Sequence, residues 1–165
     1  MASTLINIES NTAKAIATSI KKEILNSRKV IKNKDYRLIM LDFFLLDYCK
    51  YNIDNYLFYT DVEHSSLMCI AKTPRQEVSI LPNYAFIECV VKGPDSNVTF
   101  SDYLDKARTI KEGNVALGST PKLYYFYKKH GFVFANKYME DWSRIGDSEL
   151  KESYVMTLTN SDQST

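Results

Sequence analysis

A chain of 165 residues, 45% of them hydrophobic, has the length of one compact domain and enough apolar mass to bury a continuous core. Lys and Arg total 21 against 20 for Asp and Glu, so a net charge of +1 creates no field that would draw a polyanion, which argues against nucleic acid as the main partner. The longest apolar stretch, Leu38 to Leu46, is broken by Asp42 and falls well short of the roughly 20 residues that cross a bilayer, and Met1 to Ser10 lacks the basic and apolar regions of a secretory signal, so the expected location is cytoplasmic, with no membrane contact.

In chain order, Leu5 to Glu9 reads as a short strand. Ser10 or Asn11 then caps a helix in which Ala13, Ile16, Ala17, Ile20 and Ile24 recur at helical spacing until about Ser27. A second helix is predicted from Asp35 to Tyr51, free of Gly and Pro, with Leu38, Leu41, Leu45 and Tyr48 recurring at i+3 and i+4 and apolar content almost all round. From Tyr56 the pattern changes to short β-rich runs, Tyr56–Val62, Leu67–Ala71, Glu77–Leu81 and Tyr84–Lys92, separated by turn signals such as Thr73-Pro74 and Pro82-Asn83. After the loop Gly93–Asn97, Thr99 or Ser101 caps a third helix that carries Tyr103, Ala107 and Ile110 on one face and ends at Gly113. Val115–Leu117 reads as a buried strand, Pro121 as the first position of a helix that stops at Gly131, and Phe132–Phe134 and Tyr154–Thr159 as two late strands around a polar excursion, Glu140 to Glu152. Residues 1–159 form a single domain on this reading, with Asn160–Thr165 a loose tail.

Cys49, Cys69 and Cys89 lack the CxxC pairing of a zinc or redox site and read as buried thiols in a reducing compartment, so no metal is expected. A catalytic thiol would need His64 or His130 as its partner. Basic pairs such as Lys21-Lys22 and Lys128-Lys129 read as solvated helix faces.

The run Leu117-Gly118-Ser119-Thr120-Pro121-Lys122-Leu123-Tyr124-Tyr125-Phe126-Tyr127-Lys128-Lys129-His130-Gly131-Phe132 resembles the strand, helix and FYxKxGF ending of the GNAT superfamily of N-acetyltransferases. Upstream, Phe86 to Val91 resembles the family's central strand, and the resemblance covers Tyr84 to Phe134. It implies an α/β (α+β) fold: a mixed, mostly antiparallel sheet flanked by helices. It also implies acetyl-CoA as co-substrate, lying in a gap where the central strand and the next one splay apart. Cys89, Val90 and Val91 would line that cofactor, and Asn97, Val98, Thr99, Phe100 and Ser101 would meet its phosphates at a helix start, where the dipole favours anions. By the same resemblance Tyr127 would be the acid that protonates the leaving thiolate and Glu88 the base that takes the amine proton. Read from the residues alone, Tyr127 is more often a core aromatic, Glu88 a half-exposed strand residue, and His130 a residue favoured at a helix end, and it is the motif that sets the acid reading of Tyr127 beside the core one.

The family's phosphate loop reads Gln or Arg, two residues, Gly, one residue, then Gly or Ala. Here Asp95, Val98 and Phe100 fall on those three positions, and Gly93 is the only glycine between Tyr84 and Gly113. Two readings of different classes follow. The first is a divergent acyltransferase acting on a small-molecule or protein amine. The second is a catalytically inactive module that serves a structural role or binds a partner protein or its own copy.

Overall fold

The computed structural model describes residues 4–74, 83–141 and 150–159. The expected strand Glu77–Leu81, the tail from residue 160 and the centre of the late polar excursion lie outside the described residues. Seven strands form one mixed sheet in the order β1-β2-β3-β4-β5-β7-β6. The strands are β1 Leu5–Ile8, β2 Tyr56–Asp61, β3 Ser66–Ala71, β4 Ala85–Lys92, β5 Val115–Ser119, β6 Val133–Asp141 and β7 Leu150–Leu158. Pairing is antiparallel for β1–β2, β5–β7 and β6–β7 and parallel for β4–β5.

The chain falls into two compact units, 1–70 with 89–103 and 71–88 with 104–165, so residues 85–88 of β4 belong to the second and 89–92 to the first. In the first unit, α1 (Ser10–Asn26) buries the five predicted residues Ala13, Ile16, Ala17, Ile20 and Ile24. Burying such a stripe contributes most of a helix's stability, because propensity alone is marginal at this length. Its cap differs from the expectation: the helix starts at Ser10, Glu9 holds the cap position, and the Glu9 carbonyl accepts the Ala13 amide at 2.9 Å.

The predicted second helix is shorter than expected. α2 spans Lys34–Phe43 and runs into a π-helical turn, Phe44–Tyr48, in which the Cys49 amide donates to the Phe44 carbonyl at 3.0 Å. The wider turn rotates the following face, so Phe44, Asp47 and Tyr48 point inward, whereas Leu45 is half-buried and Leu46 is exposed. Phe44, Tyr48, Tyr56 and Phe58 pack as a ring cluster with centroids 5.2 to 6.4 Å apart.

In the second unit, the strand expected at Phe132–Phe134 runs instead from Val133 to Asp141, and its partner begins at Leu150, because the two form a long hairpin interrupted by an irregularity between Phe134 and Asn136. The helix after Pro121 opens with a 3-10 turn, Pro121–Leu123, before α4 (Tyr124–Lys129), and Gly131 at φ +95° ends it as expected. The third helix, α3, covers Phe100–Ala107 and is followed by turns, so its regular part stops short of Gly113.

Candidate functional site

Strand β4 changes character along its length. Ala85, Phe86 and Ile87 are buried, after which half-buried Glu88, Val90 and Lys92 alternate with buried Cys89 and Val91. The parallel register with β5 joins Ala85 to Val115, Phe86 to Ala116 and Ile87 to Leu117, and among the described residues goes no further, although β4 continues to Lys92. Strand β5, by contrast, keeps its β7 partner as far as Ser119.

In the first unit, Cys89 turns its sulfur toward the Met40 carbonyl, 3.8 Å away, and is buried. Val90, Val91 and Lys92 line a groove of about 160 Å³ with Asn33, Tyr36, Arg37 and Met40. Arg37 Nη1 donates to the carbonyls of Lys92 (3.1 Å) and Gly93 (3.2 Å) and so holds the strand end. The following loop is tied to the β2–β3 turn: the Gly93 amide donates to the Ser65 carbonyl at 2.7 Å, and the Ser65 and Ser96 hydroxyls share a hydrogen bond at 2.9 Å. Asp61 anchors that turn, accepting from the Ser65 amide (3.0 Å), the Ser65 hydroxyl (2.8 Å) and the Ser66 hydroxyl (3.0 Å). Burial alone would raise the pKa of Asp61, but the donors from Ser65 and Ser66 outweigh it and hold the carboxyl below its ordinary range.

The start of α3 closes on itself. Asp102 Oδ2 accepts from the Thr99 amide at 2.8 Å and from the Thr99 hydroxyl at 3.1 Å, a reciprocal cap of the Ser/Thr-x-x-acid kind. The Val98 amide is likewise engaged, donating to Ser96 Oγ at 3.3 Å. Of the expected phosphate contacts, Asn97, Thr99 and Ser101 are exposed and Phe100 half-buried, while the Val98 side chain is 2% exposed and faces inward. A carboxylate therefore stands at the helix start where the resemblance led one to expect phosphate contacts. Behind it, the Tyr103 hydroxyl is buried near the Ser66 hydroxyl, with Asp61 and Asp102 within electrostatic reach. Burial pushes its ionisation well above the ordinary 10.0.

In the second unit, Tyr127 is half-buried on α4 between Phe126 and Phe132, at ring separations of 5.3 and 6.1 Å. Its carbonyl accepts the amides of His130 (3.0 Å) and Phe132 (3.2 Å), which fixes the helix end. His130 sits at the carboxyl cap with its ring 5.0 Å from Phe126, in agreement with the helix-end reading. Glu88 is half-buried at the first position of β4 past the paired segment.

The thiols agree in part with the expectation. Cys69 and Cys89 are buried, but Cys49 is half-buried, and burial outweighs nearby Lys14 to push its pKa up to about 11, which opposes thiolate chemistry. Among the described residues no helix is long and apolar enough to cross a membrane. The sequence reading missed two residues that shape the site. Arg37 acts across 55 positions and leaves no local signal, whereas the Thr99-x-x-Asp102 spacing of the self-cap was readable.

No model of a known protein family matches the sequence, and no curated protein does. Solved structures do match. A probable acetyltransferase of the GNAT family from Chromobacterium violaceum superposes with a TM-score of 0.62 at 9% identity, over 100% of this chain and 86% of that one. A structure described as histone acetyltransferase HPA2 and related acetyltransferase, from Corynebacterium glutamicum, gives 0.58 at 14% identity over 95% and 96%. A spermidine N-acetyltransferase chimera from Vibrio cholerae and hSSAT gives 0.54 at 15% identity over 100% of both chains. At these identities the likeness shows the fold, and the chain has the GNAT fold.

Proposed function

We propose that this chain is a divergent N-acetyltransferase that moves an acetyl group from acetyl-CoA to an amine by direct attack. The observation that carries the reading is the end of the β4–β5 register at Ile87 and Leu117 while β4 runs on to Lys92. Strand backbone past that point is a source of amides and carbonyls for the pantetheine arm, whose own amides need such partners. Cys89, with its side chain turned toward Met40, contributes backbone alone, and Val90 and Val91 contribute backbone and apolar surface.

When bound, acetyl-CoA supplies an activated thioester carbonyl. Glu88 takes the proton from the attacking amine nitrogen, and the Tyr127 hydroxyl delivers a proton to the sulfur as the carbon–sulfur bond breaks. The new carbon–nitrogen bond and the protonated thiol balance the exchange. Asn97, Phe100 and Ser101 meet the phosphate end, with the Val98 and Thr99 amides already engaged within the loop. Such a reaction belongs in the cytoplasm, on a small-molecule or protein amine. Spermidine is the first amine to try, because one structural neighbour is a spermidine N-acetyltransferase.

One observation favours the second reading, a module without catalysis that binds a partner protein or its own copy: Asp102 occupies the α3 start with a fixed negative charge. Melting with and without acetyl-CoA separates the two. At 100 times its dissociation constant, a ligand of the folded state adds about 2.7 kcal/mol of stability. The acetyltransferase reading expects that rise, and an unmoved transition at millimolar acetyl-CoA leaves the module.

A further inference from the structure

Within the second unit the strand registers bring residues of β4, β5, β7 and β6 to one face of the sheet. Ala116 stands opposite Phe86 on β4 and Thr157 on β7, and two positions on, Gly118 stands opposite Val155. Tyr138 of β6 stands opposite Ser153, two positions from Val155. Paired residues share a face and alternate residues return to it, so Glu88, Gly118, Val155, Ser153 and Tyr138 all lie on the same side.

Gly118 has no side chain, and the Tyr138 phenol fills its place. A Cβ built at Gly118 would meet Tyr138 Cζ at 3.4 Å and Cε1 at 3.5 Å, with the hydroxyl oxygen closer still. The ring therefore reaches from β6 across β7 onto β5. It is half-buried, and Val155 and Ser153, which share its face, are buried. Gly118 is the first β5 residue past the paired segment, as Glu88 is the first on β4. An acyl group held beside Glu88 and extending over β5 runs into the phenol after a very short path.

We propose that Tyr138 is a specificity-determining residue that limits the acyl donor to acetyl-CoA by closing the space above Gly118. The proposal rests on the acyltransferase reading, since it assigns the acyl end of the thioester to the Glu88 face. Phenol volume sets the limit, and the hydroxyl is secondary.

The test is calorimetric binding of acetyl-CoA, hexanoyl-CoA and CoA to the full chain and to three variants, Tyr138→Phe, Tyr138→Ala and Tyr138→Leu. The wild type is expected to bind acetyl-CoA at least about tenfold more tightly than hexanoyl-CoA, the order of discrimination a closed apolar pocket gives. Tyr138→Phe keeps that ratio. Tyr138→Ala lowers it by about tenfold, and Tyr138→Leu lowers it less while securing the result if the smaller residue loosens the fold. CoA, which has no acyl group, binds all four proteins alike. Equal wild-type affinity for the two acyl donors, or a ratio unmoved in both Tyr138→Ala and Tyr138→Leu, overturns the gate and leaves the acetyltransferase reading intact. Failure of all three ligands to bind the wild type removes that reading and the gate with it.

Discussion

Asp102 is the residue on which the phosphate end of the reading turns. Its carboxylate accepts both donors of Thr99, and an acid in the first turn of a helix is favoured by the macrodipole, so it stabilises α3. Asp102 thus takes from the Thr99 amide the hydrogen bond that a phosphate at this helix start would otherwise receive. Asp102→Asn separates the two effects, because an amide oxygen can still accept from Thr99 while the charge is gone. The expected outcome is a loss of about 0.5–1 kcal/mol of stability, from the weaker cap and dipole interaction. With it should come acetyl-CoA binding that is several-fold tighter, as a like charge near a phosphate costs about 1 kcal/mol at a solvated site. Denaturation midpoints and calorimetry measure the two changes separately, and an unaltered affinity would show that the phosphates lie away from the start of α3.

At the scale of elements, the β2–β3 turn holds the loop after β4, and Asp61 holds the turn. Its folded-state pKa lies below the ordinary 3.8, so the stability it contributes is present above that pH and is lost as the pH falls through the lower folded value. Asp61→Asn should therefore lower stability at neutral pH by about 1–3 kcal/mol, the cost of weakening buried hydrogen bonds. Urea midpoints of the two proteins should converge below pH 3.8, and a constant gap down to pH 2 would contradict the assignment. Elements of this kind were legible in the sequence to different degrees. The apolar stripe of α1 and the Gly131 stop of α4 are local patterns and stand as read, while the Pro121 start holds only as a 3-10 turn ahead of α4. The π turn at Phe44–Tyr48 was hidden because the run is apolar on every side, so no periodicity records which residues turn inward. The β6–β7 hairpin was underestimated because its irregularity breaks alternation and its registration depends on a partner strand. Contacts such as Arg37 to the Lys92 carbonyl and Tyr138 over Gly118 depend on the assembled sheet and have no sequence signature.

For the whole molecule, the near-balanced charge of +1 supplies no general attraction for a polyanionic donor such as acetyl-CoA, so binding must rest on local contacts. One architecture carries active and inactive members alike, so the site's own groups decide. Binding and chemistry can nevertheless be separated in a single variant. Tyr127 packs against Phe126 and Phe132 through its ring, and Phe at that position preserves the packing while removing the acid. Tyr127→Phe is expected to retain the stabilisation by acetyl-CoA and to lower the rate of CoA release with an amine acceptor by about 100-fold, the lower range for loss of a general acid. Because the effect lies on kcat with the donor affinity unchanged, it marks an interaction made in the transition state. A variant as fast as the wild type would return Tyr127 to the aromatic core and leave thiolate protonation to solvent.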